Sequence, residues 1–380
     1  LLLDYFEDRG LPANYYIPNR MTEGYGLNEA AIRELQSRGT NLIITADCGT
    51  TSVREISLAR DLGMDVIVVD HHEVPDDRPP ATALLNPKRP DSDYGQAVLC
   101  TAGLAFKLVQ ALSNGVPHSL LDLVALGTIA DVSPLTGENR FLVKAGLDRL
   151  SGNSRPGVEA LKEVSGLREP TVRTGTVGFR FGPRINAAGR METASSGVEL
   201  LRSKSLSAAR KIARDLDVQN RKRQEVEGAI LEEAIHAWQN RPEEWGDSAI
   251  VLASRDWHPG VIGIVAARLA ERFYRPAILM AVGPDGVAKG SARSIPGFDL
   301  FGAISRCREI LLRFGGHRAA AGLSIREEQV PELRKRFSAA VSDLIGKDGF
   351  SPRQKVDAAV KWEDLSQDLA RGLGALQPFG

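Results

Sequence analysis

The sequence predicts an α/β protein made of two α/β lobes that one long helix joins. Three observations predict this fold. Short apolar runs rich in β-branched residues alternate with amphipathic segments over residues 1–150, and the same alternation returns over residues 248–342. Between them, residues 205–239 have helical periodicity throughout. Because strand–helix–strand units with short turns form parallel sheets with right-handed crossovers, we expect such a sheet in the first lobe.

The elements of the first lobe follow from caps and apolar runs. Asn is a typical N-cap, Gly a typical C-cap, and β-branched runs favour strands. In chain order we predict a helix over residues 29–38 capped by Asn28, a strand over 41–46, a helix from Thr50 or Thr51 to Leu62, a buried strand over 64–69, a surface loop over 75–95, a helix over 101–112, and an apolar run of undetermined type over 120–130.

The long helix and the second lobe follow from the same patterns. A helix of this length with two separate apolar stripes is typical of one that bridges two lobes. Its basic face could track a nucleic-acid backbone or be solvated, and both interpretations stay open; it contains Arg210, Lys211, Arg214, Arg221, Lys222 and Arg223. The second lobe is predicted to contain strands over 250–253 and 277–280 and helices over 261–272 and 328–344.

Charge separates the chain into regions of opposite sign. The formal net charge of the chain is +0, so bulk charge indicates no nucleic-acid partner. Residues 1–150 contain 13 Lys/Arg and 20 Asp/Glu, a net charge of −7, whereas residues 168–223 contain 13 Lys/Arg and 5 Asp/Glu, a net charge of +8. An acidic region suits cations and a basic one suits a polyanion. Solvated helix faces are the alternative interpretation.

Cysteine content and hydropathy indicate the compartment. The three cysteines, Cys48, Cys100 and Cys307, form neither a close pair nor a metal-binding spacing. An odd, sparse count predicts a reducing compartment, and we expect a cytoplasmic protein. No apolar stretch approaches the ~20 residues that span a bilayer, and no signal peptide is visible.

Polar residues follow three apolar elements directly. Asp47 follows the strand over 41–46, Asp70-His71-His72 follow the strand over 64–69, and Asp131 follows the run over 120–130. The carboxyl ends of parallel strands face one cleft. Two carboxylates and an imidazole suit Mn²⁺ or Mg²⁺ better than a structural Zn²⁺, so we predict Asp47, His71 and Asp131 as metal ligands. Each Asp alone could be a cap, His72 alone could be structural, and Asp70 could orient an imidazole.

These segments resemble the motifs of a known superfamily. Ala-Asp-Cys-Gly at 46–49, Val-Asp-His-His at 69–72 and Ala-Asp-Val at 130–132 are similar to successive motifs of the DHH phosphoesterase superfamily. Within it, four further segments resemble the RecJ family of single-stranded-DNA exonucleases, and with them the resemblance covers nearly the whole chain. They are residues 183–190, 256–266, 290–297 and 315–322.

The resemblance implies a fold and an activity. The implied domains are a DHH catalytic domain over 1–150, a linker with the bridging helix over 151–241, a DHH-associated substrate-binding domain over 242–346, and the start of an oligonucleotide-binding barrel over 347–380. The implied activity is removal of nucleotides from single-stranded DNA, 5′ to 3′, with two Mn²⁺ or Mg²⁺ ions. The resemblance also implies that the protein is a monomer, acts in DNA recombination and repair, and works with helicases and single-strand-binding protein.

The resemblance also implies the residues of the site. His72, with Asp70 behind it, would act in catalysis by contacting a phosphate oxygen. Ser291 and Arg293 alternate in a Gly-rich segment, so both can face one side and hold a terminal phosphate. Arg20 is similar to a position near the 5′ phosphate, with an exposed loop Arg as its alternative. The implied substrate contacts are Arg20, Arg184, Asn186, Arg190, Ser291, Arg293, Gly315, Gly316 and His317.

One departure from the family pattern affects the expected activity. The first motif, an Asp-x-Asp turn after the first strand, has no counterpart here, and the order of motifs would place it before Leu1. We therefore expect a chain truncated at both ends, with an incomplete metal site and poor cleavage. Two alternatives stay open: a DHH phosphodiesterase that acts on short oligoribonucleotides or adenosine bisphosphate, and a catalytically inactive DNA-binding relative.

Overall fold

The computed structural model describes residues 1–19, 23–95, 98–152, 154–191, 194–345, 349–352, 354 and 356–379, with only the backbone of 190 and 191. It consists of two compact units, Leu1–Asn220 with Val360–Gly380, and Arg221–Ala359. Each unit has its own hydrophobic core. The mixed α/β fold class predicted from the sequence is confirmed.

The first unit contains a parallel three-stranded sheet in the order β1-β2-β3. Its strands are β1 (Leu42–Ala46), β2 (Asp65–Val69) and β3 (Ala83–Leu85). Register pairs Ala46 with Val69 and Val69 with Leu85. The prediction of a loop throughout 75–95 was wrong at β3, because three residues between prolines are too short for alternation to be visible. The ends of β1 and β2 are as predicted.

Helices surround this sheet and extend the unit. The Asn28 cap is confirmed, since Asn28 Oδ1 accepts from the amide of Ala31 at 2.8 Å. The helices are α1 (Leu2–Asp8), α2 (Glu29–Ser37), α3 (Val53–Asp61), α4 (Thr101–Ser113), α5 (Leu121–Ala130), α6 (Gly137–Ser151), α7 (Pro156–Val164), α8 (Thr174–Thr176), a π-helical turn (Val177–Phe181), α9 (Gly182–Met191), α10 (Ser195–Arg202) and α11 (Leu206–Gln239).

Three details of these helices bear on the predictions. The apolar run over 120–130 is the helix α5, whose side chains are buried on almost every face. The predicted cap of α3 at Thr50 or Thr51 was wrong, because α3 begins after Ser52; the Thr50 amide instead donates to Asp70 Oδ2 at 3.1 Å. The predicted long helix is confirmed as α11, which runs through the division between the units.

The second unit is a mixed five-stranded sheet in the order β4-β5-β6-β8-β7, in which only the β4–β5 pair is parallel. The predicted strands and helices are confirmed within a few residues. The elements are β4 (Ile250–Ser254), α12 (Ile262–Phe273), β5 (Ala277–Val282), β6 (Val287–Arg293), α13 (Leu300–Ser305), β7 (Leu311–Gly316), β8 (Ala320–Arg326) and α14 (Val330–Ile345).

The C-terminal segment Val360–Gly380 belongs to the first unit and contains α15 (Gln367–Ala375). Its described residues form no strand, so the expected start of a barrel stays a prediction. Among the described helices, none combines the length and the hydropathy needed to cross a membrane.

Candidate active site

The carboxyl ends of β1 and β2 bring the predicted metal ligands together. Asp47 follows β1, His71 lies two residues after β2, and Asp131 directly follows α5. His71 Nε2 lies 3.2 Å from Asp47 Oδ1 and 3.6 Å from Asp131 Oδ1. One ligand atom from each of Asp47, His71 and His72 lies within 4.8 Å of the others. All three predicted ligands and His72 therefore face one small volume.

The backbone is strained at this cluster. Asp47 has a φ of 67° and Val132, directly after Asp131, has a φ of 60°. Such left-handed conformations are uncommon outside Gly and are unfavourable for a β-branched residue. Gly49 has a φ of 110°, and a Cβ there would lie 2.7 Å from Thr45 Oγ1. The tight turn after β1 needs this glycine, and it delivers the Asp47 carboxylate beside His71.

The residues present fit a divalent cation. His71 Nε2 is buried and makes no hydrogen bond within the described part of the chain, although two carboxylate oxygens lie near it. An unsatisfied buried ring nitrogen is costly. A cation between Nε2 and the two carboxylates would satisfy it. Two oxygen donors and one or two imidazoles suit Mn²⁺ and Mg²⁺.

Asp70 lies behind the cluster and holds His72. Its carboxylate is 1% exposed and accepts from the amide of His71 at 2.8 Å and from the Thr50 amide at 3.1 Å. It also bonds the ring Nδ1 of His72 at 2.7 Å. Burial opposes ionisation, but the hydrogen bonds of His72 and Thr50 outweigh it and hold the pKa of Asp70 below its usual range. The Asp70 hydrogen bond in turn raises the pKa of His72.

Sequence reasoning missed the side chains that support the cluster. All are polar, and most lie far from their partners in the chain, so no local pattern announces them. Thr101 Oγ1 donates to Asp47 Oδ1 (3.0 Å), Ser133 Oγ to Asp131 Oδ2 (2.5 Å), Asn86 Nδ2 to the carbonyl of His72 (2.9 Å), and the Tyr25 hydroxyl to the carbonyl of Asp47. Only Ser133 could have been suspected, because it lies two residues from Asp131.

Ser291 and Arg293 meet the start of α12 within the second unit. Both lie on β6 and Arg293 Nη1 donates to Ser291 Oγ at 2.9 Å. A Cβ at Gly263, in the first turn of α12, would lie 2.8 Å from Ser291 Oγ and 3.0 Å from Arg293 Nη2. A guanidinium, a hydroxyl and a helix N-terminus form an arrangement that suits a phosphate. Gly263 was missed as a functional position, although its place at a helix start was a usable signal.

The β7–β8 hairpin presents His317. Gly316 has a φ of 147°, and a Cβ there would lie 2.5 Å from the carbonyl oxygen of Ala320, so only glycine fits. The amide of His317 donates to the same carbonyl at 2.8 Å, and its side chain is exposed. Gly315 and Gly316 thus shape the backbone that carries His317.

The remaining predicted substrate contacts are Arg184, Asn186, Arg20 and Arg190, and their surroundings differ. Arg184 Nε donates to Asp217 Oδ1 at 2.9 Å and Nη1 to the carbonyl of Arg180 at 2.8 Å, so its guanidinium is largely engaged. Asn186 is exposed. Arg20 and the Arg190 side chain lie outside the described residues.

The basic face predicted for the long helix is partly engaged. Arg210 pairs with Glu163 at 2.7 Å. The placement of Arg223 on an exposed face was wrong: it is 8% exposed and pairs with the buried Glu227. The helix turns this position inward, because Arg223 lies three residues before Val226, on the helix face where the second apolar stripe begins.

Comparison with known proteins identifies both units. A model described as "DHH family, N-terminal domain" matches residues 1–128, and one described as "DHHA1 domain" matches residues 246–343. The single-stranded-DNA-specific exonuclease RecJ of Bacillus subtilis is 43% identical over 97% of this chain and 47% of its own length. That of Dickeya dadantii is 39% identical over 98% of this chain and 68% of its own length.

Solved structures give the same result. A crystal structure of RecJ in complex with Mn²⁺ from Thermus thermophilus superposes with a TM-score of 0.87 at 32% identity, covering 100% of this chain and 55% of that one. An exonuclease RecJ bound to manganese gives a TM-score of 0.76 at 35% identity, covering 90% and 85%. The chain thus spans about half the length of the Bacillus subtilis and Thermus thermophilus proteins. From motifs, fold and these similarities together, the chain belongs to the RecJ family.

Proposed function

We propose that this chain is the DHH and DHH-associated core of a metal-dependent exonuclease that hydrolyses single-stranded DNA from the 5′ end, in recombination and repair. The observation that carries the proposal is the cluster around His71, where a buried ring nitrogen without a hydrogen bond within the described part of the chain faces Asp47 and Asp131. The activity named for the relatives and the Mn²⁺ bound to two of their structures support it.

The first unit supplies the residues of the hydrolytic step. Asp47, His71 and Asp131 would hold Mn²⁺ or Mg²⁺, with two ions in the whole protein. The chemistry such ions supply is activation of water and neutralisation of charge on the scissile phosphate. Asp70 fixes the ring of His72 through Nδ1, which leaves Nε2 to donate to a phosphate oxygen. The raised pKa of His72 favours the protonated, donating form.

The second unit supplies phosphate recognition. Ser291, Arg293 and the first turn of α12 would bind the terminal 5′ phosphate, and His317 would contact a phosphate of the same strand. A terminal phosphate carries more negative charge than an internal one, so a guanidinium binds the 5′ end of a strand more tightly than its middle. This difference would make the enzyme an exonuclease.

The wider assignments are proposals that rest on family membership. The division into a catalytic domain over 1–150, a linker over 151–241, a substrate-binding domain over 242–346 and the start of a barrel over 347–380 is kept as proposed. So are a cytoplasmic location, a monomeric state, and cooperation with a helicase and single-strand-binding protein. The expectation of weak cleavage by this chain stays a prediction, so experiments should measure binding as well as turnover.

The deciding experiment compares substrates with Mn²⁺ present. We expect slow release of nucleotides from 5′-phosphorylated single-stranded DNA, in line with the weak cleavage predicted for this chain, and still slower release from its 5′-hydroxyl counterpart. The variant Arg293→Ala should lose about tenfold of this preference, with unchanged Mn²⁺ affinity by calorimetry. Preferred cleavage of a dinucleotide of RNA would contradict the proposal and favour the small DHH phosphodiesterases. Loss of Mn²⁺ affinity in Arg293→Ala would refute the division of roles between the units.

A further inference from the structure

The π-helical turn of the first unit exposes an aromatic ring. Phe179 is 85% exposed, whereas Val177 and Phe181 on either side of it are fully buried at 0%. A single exposed apolar side chain needs no explanation by itself. This one lies in a π-helical turn, a rare geometry that is frequent at functional sites.

The turn packs beside the candidate metal cluster. A Cβ at Gly178 would lie 3.8 Å from Ile129 Cγ2, and one at Gly182 would lie 3.7 Å from Ala130 Cβ. These two glycines bring the turn against the last residues of α5, which Asp131 follows directly. Val132, the next residue, is also 85% exposed. The two most exposed apolar side chains described within residues 1–345 thus border the same helix end as a predicted metal ligand.

The turn is held rigidly. Its buried residues belong to the core of the unit, and the carbonyl of Arg180 accepts from Arg184 Nη1 at 2.8 Å. Arg184 is fixed in turn by Asp217, at 2.9 Å from its Nε. Arg184 therefore supports the turn. A ring on a rigid backbone loses little conformational entropy when a ligand covers it.

The charge around Phe179 indicates which kind of ligand covers its ring. The side chain of Arg180 is exposed, and no carboxylate pairs with it among the described residues. The surrounding stretch, residues 168–223, carries a net charge of +8. An exposed aromatic ring beside a free cation combines the two contacts that hold single strands, base stacking and phosphate neutralisation. A peptide or a second copy of the chain would not need both beside a metal cluster.

We propose that Phe179 is a stacking platform for a base of the single strand and that Arg180 neutralises a phosphate next to that base, beside the metal cluster. The inference rests on the proposed function, because it takes single-stranded DNA as the ligand. It assigns Phe179 and Arg180 as positioning residues that hold the strand while the cluster acts on it.

The test measures binding without turnover. The probe is a fluorescent oligothymidylate of about 12 nucleotides, titrated in EDTA and followed by anisotropy. Stacking is worth about 1–3 kcal/mol per base, so Phe179→Ala should weaken binding about 5- to 150-fold and Phe179→Leu nearly as much. Phe179→Trp should restore the affinity of the unmodified chain. The matched control is Phe141→Ala, because Phe141 is 76% exposed on α6, and it should change nothing.

Two further readings separate stacking from other causes. Replacing the bases by abasic sites should weaken binding to the unmodified chain but remove the difference between it and Phe179→Ala. Arg180→Gln should reduce the slope of log affinity against log salt by about 0.7, the value for one phosphate of a single strand. The matched control is Arg33→Gln, at an exposed arginine of α2, which should leave the slope unchanged. Equal binding by Phe179→Ala and the unmodified chain overturns the inference alone. Failure of the unmodified chain to bind any strand overturns the proposed function and this inference with it.

Discussion

The two units contain different sheets, a parallel one and a mixed one, and their predicted sites suit ligands of opposite charge. In the first, parallel strands end in Asp47 and in His71 and His72, so acids and imidazoles collect at one edge. In the second, alternation along β6 puts Ser291 and Arg293 over the start of α12. The first arrangement suits a cation and the second an anion. Metal affinity and phosphate selectivity should therefore be separable by mutation.

The strongest test of this separation is His71→Ala. It removes the ring nitrogen that faces both Asp47 and Asp131. The two carboxylates that remain bind a divalent ion poorly without the imidazole ligand. We expect cleavage to fall by at least about 1,000-fold, with Mn²⁺ affinity strongly reduced by calorimetry. Affinity for a 5′-phosphorylated strand in EDTA should be kept.

The matched control for this change is His118→Ala, an exposed imidazole in the same unit. It should leave both affinities unaltered. If His71→Ala abolished binding of the strand in EDTA, the two sites would not be separable and the comparison would fail.

A second test asks whether Asp70 acts through His72. Asp70→Asn keeps the shape but loses the charge that fixes Nδ1. Partners of this kind are typically worth 10- to 100-fold in activity, and we expect a loss of cleavage in that range with a smaller loss of Mn²⁺ affinity.

The comparison variant is Asp122→Asn, another buried carboxylate, which pairs with Arg155. It should lower the free energy of unfolding without a specific loss of cleavage by the folded fraction. A loss in Asp70→Asn that followed unfolding alone, measured by denaturant titration, would argue against a positioning role.

Local pattern predicted the first ligands but not their supports. Asp47, His71 and Asp131 were visible because each follows an apolar run. The strand β2 was visible as a β-branched apolar run, and α11 was visible because its helical periodicity is long and regular. Asn86 and Thr101 were not, because they reach His72 and Asp47 across distances in the chain that no periodicity records. The strand β3 was missed because it has only three residues between prolines, and its pairing with β2, not its own strand propensity, makes it a strand.

A third test concerns the second unit. In Gly263→Ala the new Cβ would lie 2.8 Å from Ser291 Oγ and 3.0 Å from Arg293 Nη2. Both atoms end movable side chains, so the fold should tolerate the change while the pair shifts away from the helix start. We expect about tenfold lower preference for a 5′ phosphate over a 5′ hydroxyl, with Mn²⁺ affinity unchanged. Gly228→Ala, which meets nothing within 4 Å in α11, should leave the preference intact.

The smallest expected effect tests the supports of the metal cluster. Thr101→Val is nearly isosteric and removes the 3.0 Å hydrogen bond to Asp47 Oδ1. Half of the Asp47 side chain is exposed, so water replaces part of the loss, and a net value of about 0.5–1 kcal/mol corresponds to a two- to fivefold weaker Mn²⁺ affinity. Thr82→Val removes a similar bond to Asp65, 2.8 Å long, outside the cluster. Calorimetry should separate the two variants, because only Thr101 orients a predicted ligand; equal Mn²⁺ affinities would mean that the strained turn after β1 fixes Asp47 without help.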